Sequence, residues 1–273
     1  MAAVAEFRDR YGPWALVTGA SAGLGAAFAR ALAARGLHLA LVARRAEQLE
    51  ALAAELRAAR GVDVLPIAAD LTAADALARV QSALASREVG LLVNNAGFGA
   101  AGAFLARDQA WQARMVRLNC EVPVVLSHAF LPAMVARRRG GMILVASTAA
   151  YQATPYMAVY GATKAFDLLL GEALHVELRP HGVDVLVLSP GYTESEFHAI
   201  AGVRGPATGL RMRPEPVVEL ALRRLGRGSA AIPGLANKAM AWSTRLVPRS
   251  WAAGVAARVL RHRNTRDAAP GTA

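Results

Sequence analysis

A tyrosine and a lysine stand four residues apart in YGATK, Tyr160 to Lys164, shortly after a serine, Ser147, that closes the apolar run MILVAS. Helical i,i+4 spacing sets the tyrosine and the lysine on one face. A free phenol ionises near pKa ~10, too high for efficient proton transfer at neutral pH. A nearby ammonium favours the phenolate and lowers that value, so the pair can serve as a proton relay. The compact ammonium also keeps N–H donors for ribose hydroxyls. Arginine is bulkier, flat and holds its proton. Of the 31 lysines and arginines in the chain only Lys164 and Lys238 are lysines, so the lysine stands out against an arginine background. A surface Tyr–Lys helix pair has the same spacing, and the weight falls on what accompanies it.

A second group of residues suits a dinucleotide. TGASAGLG, Thr18 to Gly25, follows an apolar run and opens a helical one. Gly19, Gly23 and Gly25 allow a tight turn in which backbone N–H groups, with Ser21 and Leu24 between them, meet a pyrophosphate at a helix N-terminus. The spacing departs from GxGxxG, and alone it means only a tight turn. At the end of the next apolar run, where an acid often binds a ribose 2′-hydroxyl, the chain has Ala43, Arg44 and Arg45. An acid repels a 2′-phosphate and a guanidinium pairs with it, so the expected cofactor is NADP(H). As merely exposed arginines the two would oppose the helix dipole. Asp70 and Leu71 could meet the adenine, or Asp70 could be the N-cap neighbour of a helix at Thr72. In NNAG, Asn94 to Gly97, the asparagines are read as joining strand ends, with cofactor contact through Asn95, Ala96 and Gly97 as a by-product.

These groups need a scaffold that brings strand ends together. Trp14–Val17, Leu37–Val42, Val62–Ile67, Leu91–Val93, Met142–Ala146 and Val183–Leu188 are short and β-like. Ala46–Ala59 and Ala73–Ser86 are long enough for helices. Strands apolar on both faces, alternating with helices, predict an α/β fold with a parallel sheet covered on both sides. Val89–Ala106 and Gly140–Thr163 carry no charge, but polar and glycine residues break them, and each reads as a buried strand plus loop and not a membrane span. Gly202–Pro216 reads as a loop or lid.

Composition narrows the classes. With 55% hydrophobic residues the chain can bury a sizeable core. A single cysteine, Cys120, excludes an internal disulfide framework and suits a reducing compartment. The start, MAAVAEFRDRYGP, has acids and no apolar core of signal-peptide type, so a cytoplasmic location is expected. No metal is expected. Of the net charge of +11, residues 201–273 carry 13 basic and 3 acidic side chains, net +10. That region has no nucleic-acid reading motif. Within it, residues about 235–262, with Trp242 and Trp251 among arginines, suit one or two amphipathic helices beside the substrate entrance, touching an anionic membrane surface at the inner face, or a lid or subunit contact.

TGASAGLG, Asp70-Leu71, NNAG, Asn119, Ser147, YGATK and Pro190-Gly191 occur in this order, and together they resemble the short-chain dehydrogenase/reductase family over roughly residues 12–233. The resemblance implies a doubly wound Rossmann-type sheet, a nicotinamide cofactor, and hydride transfer at a carbonyl or secondary alcohol. It implies that Tyr160 exchanges a proton with the substrate oxygen, that Ser147 holds that oxygen, and that Lys164 tunes Tyr160 and grips the nicotinamide ribose. Asn119 would position a water linking Lys164 to solvent. Thr193 or Ser195, after Pro190-Gly191, would meet the nicotinamide amide. VARRAEQLEALAAEL and NNAGFGAAGAF are similar to the branch with hydroxysteroid dehydrogenases and many bacterial reductases. Family precedent is a homodimer or homotetramer through the long helices. A non-catalytic dinucleotide sensor or scaffold on the same fold is the alternative, and the four polar residues together disfavour it. Phe98, Phe104, Tyr151, Met157, Tyr192 and Phe197 are expected to line a pocket for a hydrophobic carbonyl or alcohol. The expected organisation is a catalytic and NADP-binding domain over 1–233, a basic helical extension over 234–262, and a disordered tail over 263–273.

Overall fold

The computed structural model describes residues 2–194, 211–246 and 248–264. Phe197 and Ser195, most of Gly202–Pro216 and nearly all of the tail lie outside them. The described chain forms an α/β fold around one seven-stranded, all-parallel sheet, with the strands in the order β3-β2-β1-β4-β5-β6-β7. The strands are β1 Trp14–Thr18, β2 His38–Ala43, β3 Val64–Ala68, β4 Val89–Asn94, β5 Gly140–Val145, β6 Val183–Leu188 and β7 Ala230–Ala231. Six match the apolar runs to within a few residues. The seventh is two residues long, too short to leave a pattern.

Every residue of β4, β5 and β6 is buried, which is why these strands read as continuous apolar runs and not as alternating ones. Along β1, Ala15 and Val17 face one apolar layer and Leu16 the other. The first layer includes Tyr11 of α1 (Ala2–Tyr11), Phe28 and Leu32 of α2 (Gly23–Ala33), Leu49 of α3 (Ala46–Arg60), and Val217 and Leu222 of the helix Pro214–Arg224. The second holds Val80 of α4 (Ala76–Ala83), with Leu126 and Met134 of the helix Val122–Ala136. Full burial of a side chain such as Phe28 or Leu126 stabilises the fold by roughly 1.5–3 kcal/mol.

Two expected elements differ in extent. The helix expected over Ala73–Ser86 starts at Ala76, because Asp70 first holds a turn by accepting from the Thr72 backbone N–H and hydroxyl at 2.9 and 2.7 Å. Pro214 and Pro216, expected in a loop, open a helix, where a proline at the first turn costs no hydrogen bond.

A further helical run, Gln109 to Ala136, comprises α5 (Gln109–Val116), a π-helical turn (Arg117–Glu121) and α6 (Val122–Ala136). It is long and apolar enough to cross a membrane, but it packs on the sheet and on α7 (Ala158–Leu178), and its residues Val122, Leu126, Leu131 and Met134 belong to the core. The C-terminal region contributes α9 (Leu235–Ser243) and α10 (Arg249–Asn264), following α8, the helix Pro214–Arg224.

The order of the strands reverses between β1 and β4, which are neighbours in space. Their carboxyl ends therefore open a crevice, the place where parallel sheets bind ligands. Gly25 fixes the turn at that edge, since a Cβ there would lie 2.1 Å from the Gly19 carbonyl oxygen and 2.7 Å from Asn95 Nδ2. Alanine gains at most about 1 kcal/mol of helix propensity over glycine, whereas overpacking costs about 1–3 kcal/mol, and here it falls on backbone. Gly25→Ala is therefore expected to lower the thermal unfolding midpoint and to weaken dinucleotide binding; an unchanged or higher midpoint in a calorimetric scan contradicts this.

Candidate active site

The crevice is a cleft of about 540 Å³. Its dinucleotide side is built from strand ends. Gly19 has φ +67, and a Cβ on it would touch Asn95 Nδ2 at 2.8 Å and the Ala96 Cα at 2.9 Å. Asn95 donates from Nδ2 to the carbonyls of Thr18 (2.8 Å) and Gly19 (3.2 Å), and its backbone N–H reaches Thr18 Oγ1 at 3.0 Å. Ala96 N–H shares that hydroxyl. The glycine turn after β1 and the NNAG turn after β4 are thereby one unit. Ser21, Gly23 and Leu24 line the cleft beside them, with Ala96 and Gly97 across from them, and Gly25 sits behind, against Gly19. Asn94 points inward to Ser127 Oγ (3.4 Å) and Met142 Sδ (3.6 Å).

Arg44 and Arg45 stand exposed at the rim, where β2 ends and α3 begins, and both line the cleft. Arg45 donates to Ser21 Oγ at 3.1 Å. Asp70 and Leu71 form the neighbouring wall. Burial pushes the Asp70 carboxyl up, but the Thr72 hydrogen bonds, Arg44 and Arg114 outweigh it and hold it below the ordinary range.

The other half of the cleft holds Ser147, Tyr160 and Lys164. Ser147 follows β5 and accepts from the Ala149 N–H at 3.1 Å. The Tyr160 phenol, in the first turn of α7, is hydrogen-bonded to Ser147. Lys164, one turn further, donates from Nζ to the Val145 carbonyl at 2.7 Å and to Asp167 Oδ2 at 2.9 Å. All three line the cleft. Burial pushes the Tyr160 phenol up, Lys164 and the Ser147 hydrogen bond draw it down, Asp167 pushes it up again, and the net direction is upward. The expected lowering by Lys164 is thus present but outweighed by desolvation.

Asn119 is 1% exposed and lies in the π-helical turn. Its Nδ2 donates to the Phe98 carbonyl (2.9 Å) and Thr163 Oγ1 (3.0 Å), and its Oδ1 accepts from the Phe98 N–H (3.1 Å). The side chain clamps the NNAG loop to α7. Asn119 Oδ1 and Lys164 Nζ both face the space beside Gly97, 3.1 and 3.6 Å from where a Cβ on that residue would stand.

Pro190, Gly191, Tyr192 and Thr193 close the far end of the cleft. A Cβ on Gly191 would lie 2.5 Å from Asn237 Nδ2, so α9 backs this turn directly. Thr193 bridges to Met212, and its hydroxyl reaches the Gly191 carbonyl at 3.4 Å. The apolar wall beside Tyr160 holds Phe98, Met157 and Trp111, with Phe98 and Trp111 edge to face at 4.8 Å. Tyr151 departs from its expected place: it packs against Leu168 and Val187, and its hydroxyl reaches Ser189 at 3.3 Å. Phe104 is exposed and does not line the cleft.

Sequence reasoning passed over Trp111, Arg114 and Leu118, which line the cleft from one side of the α5 run. Their spacing of three and four residues was the readable signal. It also passed over Asp167, an acid three residues after Lys164 within an apolar helix.

These residues fit a nicotinamide dinucleotide: the glycine turn has no room for side chains, and the rim carries guanidinium groups suited to an anion. The family model for the short chain dehydrogenase matches residues 13–201. The chain belongs to the short-chain dehydrogenase family. As a member it is a nicotinamide-dependent oxidoreductase. It is 32% identical over 239 residues to a 7β-hydroxysteroid dehydrogenase of Collinsella aerofaciens, covering 85% of this chain and 90% of the relative. Among solved structures it resembles a short-chain dehydrogenase from Sphingobium yanoikuyae in complex with NADPH, with TM-score 0.79, 32% identity and coverage of 96% and 100% of the two chains. It also resembles a bulky-bulky ketone specific alcohol dehydrogenase from Comamonas testosteroni, with TM-score 0.74, 32% identity and coverage of 96% and 98%.

The position of Arg44 makes a test of cofactor choice. Arg44→Ala is expected to weaken NADPH binding at least tenfold and NADH binding little, since a charged hydrogen bond contributes roughly 1.5–3 kcal/mol. Titration with both nucleotides checks this; equal losses would assign Arg44 to structure.

Proposed function

We propose that this protein is an NADP(H)-dependent oxidoreductase that transfers hydride between nicotinamide and a hydrophobic ketone, aldehyde or secondary alcohol, with Tyr160 as general acid/base. The observation behind the reading is the Tyr160 phenol, hydrogen-bonded to Ser147 with the Lys164 ammonium one turn away, at the foot of an apolar wall. A nicotinamide held beside Lys164 and Thr193 would supply hydride in reduction and accept it in oxidation. In reduction Tyr160 gives its proton to the substrate oxygen while Ser147 donates a hydrogen bond to the same atom. In oxidation the phenolate takes that proton. Lys164, fixed by Val145 and Asp167, keeps an N–H donor for the nicotinamide ribose. Asn119 holds the NNAG loop against α7, and Thr193 stands at the nicotinamide end. Phe98, Trp111 and Met157 exclude water and favour apolar substituents on the carbonyl. The 7β-hydroxysteroid and bulky-ketone relatives support a large apolar substrate. A dinucleotide sensor would have no use for a serine hydrogen-bonded to a tyrosine beside a buried lysine.

Two further readings belong here. The face of α7 carrying Leu169 and Val176, 66% and 70% exposed, suits a homodimer or homotetramer contact. In the C-terminal region Leu235, Trp242, Leu246 and Trp251 are all more than 60% exposed, in a stretch of net +10. Such a surface supports peripheral attachment of a cytoplasmic protein to an anionic membrane, where each basic residue contributes about 1 kcal/mol.

A screen of ketones, aldehydes and alcohols with NADPH and NADP⁺, followed by nicotinamide absorbance, tests the activity. With a good substrate, Tyr160→Phe is expected to bind cofactor normally and lose turnover by about 10²–10⁴-fold; near-normal turnover removes Tyr160 from the mechanism. Co-sedimentation with phosphatidylserine vesicles is expected at low salt and not at high salt; no binding at low salt ends the membrane reading.

A further inference from the structure

One buried acid beside Lys164 takes no part in the chemistry described above. Asp167 is 2% exposed and its Oδ2 lies 2.9 Å from Lys164 Nζ. Its Oδ1 has no hydrogen-bond partner. Stability gives little reason for such an acid, because a buried ion pair with an unsatisfied oxygen often holds a fold no better than apolar packing does. Its neighbours Phe166, Leu168 and Leu169 are apolar. We propose that Asp167 is a positioning residue of the hydride-transfer site: it anchors and offsets the Lys164 ammonium, and so keeps Tyr160 as the neutral phenol, the form that gives a proton in carbonyl reduction. This rests on Tyr160 being the proton donor.

The charge count explains the bias. With Tyr160 as a phenol, the buried group of Tyr160, Lys164⁺ and Asp167⁻ is neutral. Ionising Tyr160 leaves that group with one negative charge away from water, which low dielectric disfavours. Without Asp167, the same ionisation would turn a lone cation into a neutral pair. Reduction consumes a proton from the phenol, so it uses the form the triad favours. Oxidation requires the phenolate first, so it needs alkali.

The surroundings do not cancel this effect. Cys120, from the π-helical turn, is a thiol that burial pushes up to about 11. Ser147 stands after β5, and Tyr151, in the turn after it, is engaged with Ser189. From β6, Asp184 lies at the opposite end of its strand, bonded to Arg10 and Tyr11. Arg114 on α5 lies across the cleft, near Asp70. Glu172 and His175 are two and three turns further along α7.

The test is the pH dependence of kcat/KM in both directions, with NADPH and a ketone and with NADP⁺ and its alcohol. In the unaltered protein, reduction should hold level through neutrality, and oxidation should rise only in strongly alkaline solution, because burial holds the Tyr160 phenol above its ordinary range. In Asp167→Asn, which keeps an oxygen for Lys164 but removes the charge, the phenolate becomes easier to form. The alkaline loss of reduction and the rise of oxidation should then both move to lower pH by about one unit. Asp167→Val, which leaves no unpaired oxygen, serves if the asparagine variant does not fold. Oxidation at full rate near neutrality in the unaltered protein, or limbs that stay in place in an active variant, would overturn the proposal. The Tyr160 ionisation can also be followed without turnover, as the ultraviolet phenolate difference between each protein and its Tyr160→Phe counterpart. If no substrate is ever turned over, the function falls, yet a Tyr160 ionisation unmoved by Asp167→Asn still overturns the role of Asp167, and one lowered by about a unit supports it.

Discussion

Lys164 carries a positive charge to a place that is 6% exposed, and a charge taken out of water must be surrounded by acceptors or it costs several kcal/mol. Much of the structure around Lys164 can be understood as meeting that demand. Val145 is the last residue of β5, so its carbonyl is available at a strand end. Asp167 supplies the counter-charge from the same helix. The helix itself must lie close on the sheet for the ammonium to reach Val145, and Gly171 allows this, since a Cβ there would be 2.3 Å from Val187 Cγ2. Thr163, beside Lys164 in the chain, then meets Asn119 and through it the loop after β4.

The second half of the site is held by a different economy of groups. A single hydroxyl, that of Thr18, accepts from two successive backbone N–H groups of the NNAG turn, while Asn95 returns hydrogen bonds to the backbone around Thr18 and Gly19. The two chain segments that flank the crevice therefore cannot shift separately. Since Asn119 ties the same NNAG loop to α7, the glycine turn after β1 and the helix carrying Tyr160 and Lys164 belong to one hydrogen-bonded frame. Rigid placement of this kind is what hydride transfer between two bound molecules demands.

The sheet was legible because strands buried on both faces must be apolar throughout, and β1, β2, β4, β5 and β6 leave that mark in the chain. β7 escaped because two alanines carry no pattern. The polar site was legible where chemistry demands a residue type: Tyr160 with Lys164, Ser147 at a strand end, arginines where an acid might stand. It was illegible where a side chain's direction decides. Tyr151 and Met157 are alike in a sequence, yet one turns to Ser189 and the other to the cleft. Asn119 was recognised as a site residue, but its contacts with Phe98 and Thr163 depend on the π-helical turn, which nothing in RLNCE announces. Asp167 was plainly visible as an acid among leucines. Its meaning required knowing that this face of α7 is buried.

The preference for arginine has a practical consequence. Of the two side-chain amines, that of Lys164 is enclosed in the protein, whereas Lys238 is exposed on α9. Its neighbour in sequence, Asn237, abuts the Gly191 backbone at the end of the cleft. Among the lysines, an amine-reactive fluorophore would therefore mark only Lys238, on the helix that backs the Pro190-Gly191 turn. The natural chain thus offers a built-in attachment point for an optical reporter of cleft occupancy, with no engineered residue required.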